Sequence, residues 1–155
     1  LTMGRAKRGV RRSSDNRQSI PSEQVRRQMN HVLIVDDEPE YLDELVEALA
    51  FRGLSTRSVG RGADALDVLA HDPDIRVVLT DMRMPDMDGV ALVETVLGRF
   101  PTRDLRFLMM TGHAAEADMA RAREVGVLQC FPKPLAFDAL CDALVELGGV
   151  ADAST

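Results

Sequence analysis

The feature that most constrains this chain is an alternation, repeated five times between residues 31 and 147, of a short apolar run and a longer segment with helical spacing of its apolar residues. The first run is His31-Val32-Leu33-Ile34-Val35. After it, Leu42, Leu45, Val46 and Leu49 fall at i, i+3, i+4 and i+7, with Pro39 near the start and Gly53 just past Arg52 as a stop. Four more units follow: 54–59 with 62–71, 75–80 with 88–100, 105–110 with 114–125, and 127–131 with 135–147. Asp72-Pro73, Asp88-Gly89 and Gly126 supply turns between them. Strands that alternate with helices pair in parallel, and the crossovers cover both faces of the sheet.

The strands differ in polarity, and this predicts their order. The first, third and fourth are nearly continuous hydrophobics, as strands buried on both faces require. Ser55-Thr56-Arg57-Ser58 is polar, and 127–131 is interrupted by Gln129 and followed by Pro132. Polar and proline-bearing strands belong at edges, which gives a five-stranded parallel α/β sheet of order 2-1-3-4-5, the flavodoxin-like arrangement.

Charge marks the domain limits. Residues 1–29 hold eight Lys/Arg against Asp15 and Glu23, a balance of +6. The other 126 residues hold 11 basic and 23 acidic side chains, a balance of -12. Without periodic apolar residues, 1–28 is expected to be a disordered basic tail, or a non-native leader because Met29-Asn30-His31 resembles an ordinary start. The folded domain is expected over 29–148, with 149–155 as a C-terminal tail. No apolar run approaches the roughly 18 residues of a membrane span, and no secretory signal is legible. Cys130 and Cys141 are too few for a disulfide scaffold and lack zinc-site spacing, so a reducing cytoplasm is the expected location.

Parallel strands all end on the same edge, so residues that follow them gather there. Asp36 and Asp37 follow the first strand, Asp81 the third, Thr111 the fourth and Lys133 the fifth. The order reverses between strands one and three, which sets the three acids beside the binding crevice. Their mutual repulsion calls for protonation or a cation, and hard oxygen ligands favour Mg²⁺. Metal, ammonium and hydroxyl together suit three phosphoryl oxygens, leaving a carboxylate as nucleophile. Each residue also has a plainer reading: the acids as solvated loop charges, Thr111 as a helix cap, Lys133 as a surface lysine. The plain readings do not account for all of them at the correct strand ends.

Val-Asp-Asp-Glu-Pro at 35–39, Thr-Asp-Met-Arg-Met-Pro-Asp-Met-Asp-Gly at 80–89, Met-Thr-Gly-His at 110–113 and Phe-Pro-Lys-Pro-Leu at 131–135 resemble the receiver domain of two-component response regulators. The resemblance covers about residues 30–148. It implies that Asp81 is the phosphoacceptor, that Asp36, Asp37, Asp81 and the backbone carbonyl of Arg83 hold Mg²⁺, that Thr111 bonds a phosphoryl oxygen, and that Lys133 pairs with the phosphate. It further implies a domain that catalyses its own phosphorylation and dephosphorylation, without turnover of outside substrates. The implied partners are a histidine kinase or histidine phosphotransfer protein and a downstream protein effector, with a phosphorylation-dependent dimer. A cis Lys133-Pro134 bond is expected from the same match.

Cys130 departs from the pattern, standing where the family usually has the Tyr or Phe that moves with the threonine. A thiol cannot fill that pocket, so coupling from Thr111 is expected to be weak or to run through Phe131 or Phe107. Arg83 and His113 occupy the variable positions flanking the acceptor and the threonine and are expected to tune phosphoryl lifetime. Only the short tail 149–155 is expected beyond the folded domain, which points to a stand-alone regulator, with a receiver from a larger regulator or hybrid kinase as the alternative. A phosphorylation-independent interaction module is a further alternative. A haloacid-dehalogenase-type phosphatase would need Asp-x-Asp rather than the adjacent Asp36-Asp37. Nucleic-acid binding by the basic tail is disfavoured by the acidity of the globule and the lack of a reading element.

Overall fold

The structure is a computed structural model that describes residues 30–112 and 116–148. The expected tails at 1–28 and 149–155, and His113, lie outside the described residues. The chain runs β1 (Val32–Val35), α1 (Pro39–Phe51), β2 (Thr56–Val59), α2 (Gly62–His71), β3 (Val77–Asp81), α3 (Gly89–Arg99), β4 (Arg106–Thr111), α4 (Glu116–Val125), β5 (Val127–Pro132) and α5 (Phe137–Glu146). All four strand pairings are parallel, in the order β2-β1-β3-β4-β5. The order expected from strand polarity is the one observed. β1 and β3 are buried throughout, whereas Arg57 and Ser58 of β2 and Leu128 and Gln129 of β5 are exposed.

Strand alternation sends successive side chains to opposite layers. Leu33, Val35 and Val78 meet Ala65 and Leu69 of α2, Val93 and Val96 of α3 and Ala122 of α4. Val32, Ile34 and Leu79 meet Leu45 and Leu49 of α1 and Leu140 and Leu144 of α5. Each fully buried leucine contributes about 1.5–3 kcal/mol. The predicted strands at 54–59 and 75–80 begin two residues too early. Leu54 and Ile75 are buried, at 1% and 2% exposure, but precede the paired segments, because burial at a helix-to-strand corner needs no ladder bond.

Two details fix the loop between β3 and α3. Asp88 caps α3, accepting from Ala91 N at 2.7 Å. Gly89 passes so close to Asp81 that a β-carbon there would stand 2.5 Å from its carbonyl oxygen, so only glycine fits.

Candidate functional site

The β1–β3 register pairs Val35 with Thr80, and β3–β4 pairs Asp81 with Met110, so these strands end at one level. Asp36, just beyond β1, is fully buried, and Asp81, the last residue of β3, is 7% exposed. Asp37 is exposed. One carboxylate oxygen from each of Asp36, Asp37 and Asp81 lies within 4.8 Å of the others. Two oxygens on one Mg²⁺ are at most about 4.2 Å apart, so this donor set fits a hard divalent ion with small side-chain movements.

Lys133, just past β5, enters the same cluster. Its Nζ donates to Asp36 Oδ2 at 2.9 Å and to Asp81 Oδ2 at 3.5 Å, and lies 3.6 Å from Glu38 Oε1. The other oxygen of Asp36 accepts from Glu38 N at 3.0 Å. Thr111 ends β4, is buried, and its carbonyl accepts from Lys133 N at 2.8 Å. The Lys133-Pro134 bond is cis, as expected.

The electrostatics follow from burial. Asp81 is pushed up to about 6, first by desolvation and then by the Asp36 charge, with Lys133 and the Arg83 N–H pulling the other way. Burial by itself would lower the pKa of Lys133, but the bond to Asp36 and the charges of Asp81, Asp36 and Glu38 outweigh it and hold the ammonium above its ordinary value. The cluster therefore keeps its cation while its acids repel one another.

Three contacts at or beside the cluster were not read from the sequence. The Lys133 ammonium sits over the Tyr41 ring, 4.5 Å from its centroid. Tyr41 lies in the first turn of α1 five residues after Asp36, a position that a helical projection of α1 could have flagged. The Arg83 guanidinium reaches α4, where Nη2 donates to Asp118 Oδ2 at 2.7 Å. Asp86 accepts from Gly62 N at 3.2 Å and Ala63 N at 3.1 Å, so the loop after β3 caps α2.

The aromatic candidates for coupling separate cleanly. Phe107 and the half-buried Cys130 pack in the layer with α2, α3 and α4, whereas Phe131 is buried in the layer with α1 and α5. Burial raises the Cys130 thiol pKa, so it stays protonated and packs as a small side chain. A cavity of about 350 Å³ lined by Ile75, Arg76, Arg103, Arg106 and Leu147 lies at the opposite edge of the sheet, remote from these acids.

The family model "Response regulator receiver domain" matches residues 32–145. The DNA-binding transcriptional regulator NtrC of Escherichia coli K12 is 38% identical over 116 residues, which are 74% of this chain and 24% of NtrC. The sensor histidine kinase RcsC of Salmonella typhi is 34% identical over 113 residues, 73% of this chain and 12% of RcsC. The chain thus spans a quarter or less of the length of these relatives. A response regulator receiver protein from Pseudomonas putida shares the fold, with a TM-score of 0.70 at 23% identity, covering 74% of this chain and 94% of that one. Matched over the whole span from β1 to α5, with an acid cluster and a lysine meeting at one sheet edge, the chain belongs to the receiver domain family of two-component response regulators.

Proposed function

We propose that Asp81 accepts a phosphoryl group from a phosphohistidine on a histidine kinase or phosphotransfer protein. The single observation that carries this is the Lys133 ammonium shared between Asp36 at 2.9 Å and Asp81 at 3.5 Å, inside a cluster of three acids. An Asp81 oxygen attacks phosphorus, a P–O bond forms, the P–N bond to the donor imidazole breaks, and the imidazole leaves with that electron pair. With its pKa near 6, Asp81 is mostly ionised at neutral pH and is ready to attack. Asp36, Asp37, Asp81 and the carbonyl of Arg83 are the groups that would hold Mg²⁺. When bound, the ion supplies positive charge to the transferring phosphoryl oxygens.

Lys133 holds Asp36 before transfer and is placed to pair with the phosphoryl group after it. The Thr111 hydroxyl, at the end of β4, takes a phosphoryl oxygen, and Phe107 carries the change toward α4, since it shares that layer with Cys130 while Phe131 does not. Arg83 and His113 set how quickly water removes the group. Receiver domains exchange signals with histidine kinases and downstream effectors, and here the output runs through protein contacts of the domain in the cytoplasm, with phosphorylation promoting a dimer. None of the described helices is long and apolar enough to cross a membrane.

Radiolabelled acetyl phosphate with Mg²⁺ tests the assignment. The wild-type chain should take up label that is stable in acid and released by alkali or hydroxylamine, and Asp81→Asn should take up none. Undiminished labelling of Asp81→Asn would refute it.

A further inference from the structure

The main chain and side chain of Arg83 serve different partners. Its N–H faces the Asp81 carboxylate, while its guanidinium donates to Asp118 in the first turn of α4 at 2.7 Å. Asp118 is the more buried member, its side chain 22% exposed against 71% for Arg83, so the carboxylate is a fixed anchor and the arginine a tethered arm. A second cation shares the anchor: Arg121 Nη1 stands 3.7 Å from Asp118 Oδ1, and its Nη2 stands 4.0 Å from Asp88, the cap of α3. With Met82 and Val90, these four side chains line the cleft between the loop after β3 and α4.

We propose that Asp118 is a positioning residue for the phosphoryl group: it holds the Arg83 guanidinium against α4 while Asp81 is free and yields it when the aspartyl phosphate forms. The inference rests on Asp81 as the acceptor. Arg83 is two residues from Asp81, at most about 7 Å between α-carbons, so the guanidinium changes partner by rotating its own side chain. The planar fork of arginine fits carboxylate and phosphate alike, and the phosphoryl group adds roughly -1.5 to -2 charges with three acceptor oxygens. An exposed ion pair is weakly held and is readily exchanged for the more highly charged partner. Transfer of the arm covers the phosphorus against water and frees the first turn of α4. The modification thereby reaches α4 without the large aromatic that Cys130 replaces.

The test is the rate at which the full chain, labelled with radioactive acetyl phosphate in Mg²⁺, loses its label by hydrolysis. Asp118→Asn, which leaves Arg83 free for the phosphoryl group from the outset, should slow the loss about three- to fivefold, the scale of one exposed ion pair. Asp118→Glu should restore the wild-type rate, which a merely structural role would not require. In an Arg83→Ala background Asp118→Asn should have no further effect. An unchanged rate in Asp118→Asn, or the same change with Arg83 absent, overturns the inference while leaving the acceptor assignment standing. A wild-type chain that takes no label overturns both.

Discussion

Lys133 donates to Asp36, a carboxylate with no exposed surface, at 2.9 Å, and so the cation beside Asp81 is anchored on that acid's neighbour. Neither charge would be tolerable in that position alone. Breaking a buried pair by removing one partner costs about 3–5 kcal/mol because the other charge is left desolvated. Lys133→Met should therefore lower stability by about 3 kcal/mol in EDTA, measured by urea unfolding, with a smaller loss in Mg²⁺, where a second cation compensates.

Asp81 carries the opposite penalty. Its folded pKa, about 6, lies above the ordinary value of 3.8, so the folded state binds its proton more tightly than the unfolded chain does. The contribution is favourable below pH 4 and is lost as pH rises toward 6, reaching about 3 kcal/mol of cost at neutral pH. In EDTA, Asp81→Asn should be more stable than wild type at pH 7.5, and its stability should lack the decline that wild type shows between pH 4 and 6. Equal unfolding midpoints at pH 7.5 would contradict the charge repulsion.

The Tyr41 ring lies against the Lys133 ammonium, and a ring face attracts a cation by about 0.5–2 kcal/mol. Tyr41→Leu should reduce the acetyl phosphate labelling rate by about two- to thirtyfold, with Tyr41→Phe near wild type because the ring remains. A phenylalanine variant as slow as the leucine variant would shift the role from ring to hydroxyl.

Asp86 accepts from the first two amides of α2, at Gly62 and Ala63, although it belongs to the loop after β3. Desolvation, the largest single influence, pushes its pKa up, but the backbone N–H bonds to its charged form, led by those from Ala63 and Gly62, together outweigh it and hold the pKa below the ordinary value. Its contribution is thus present above the unfolded carboxylate pKa and lost as pH falls through the lowered folded value. Asp86→Ala should cost about 1 kcal/mol, in line with loss of a cap, and hydrogen exchange should speed at Gly62 and Ala63 before it does elsewhere in α2.

How much of the site was legible depends on which kind of element carries each residue. Asp36, Asp37, Asp81, Thr111 and Lys133 sit at strand ends, and a parallel sheet aligns strand ends whatever the details of packing. Tyr41 and Asp118 sit in helices, and a helical side chain meets the site only if the helix crosses the sheet at a suitable angle and rotation. Those are set by how Leu45 and Leu49, or Ala122, pack against the sheet, a property of volumes rather than of pattern. Asp86 is one acid in a loop that also holds Asp88, and its cap joins residues 24 positions apart, a pairing no local pattern shows.

By itself the sequence determined the strand order, through the contrast between apolar central runs and polar edge runs, and the meeting of three acids, a threonine and a lysine at one rim. Only the tertiary structure decided that Asp36 is buried deeply enough to need Lys133, that Asp81 is raised to about 6, and that Arg83 turns toward α4 rather than the acids. The reason is that alternation and polarity are properties of neighbours along the chain. Desolvation and partner choice are properties of depth and distance, which exist only after α1, α4 and the loop after β3 have closed around the edge of the sheet.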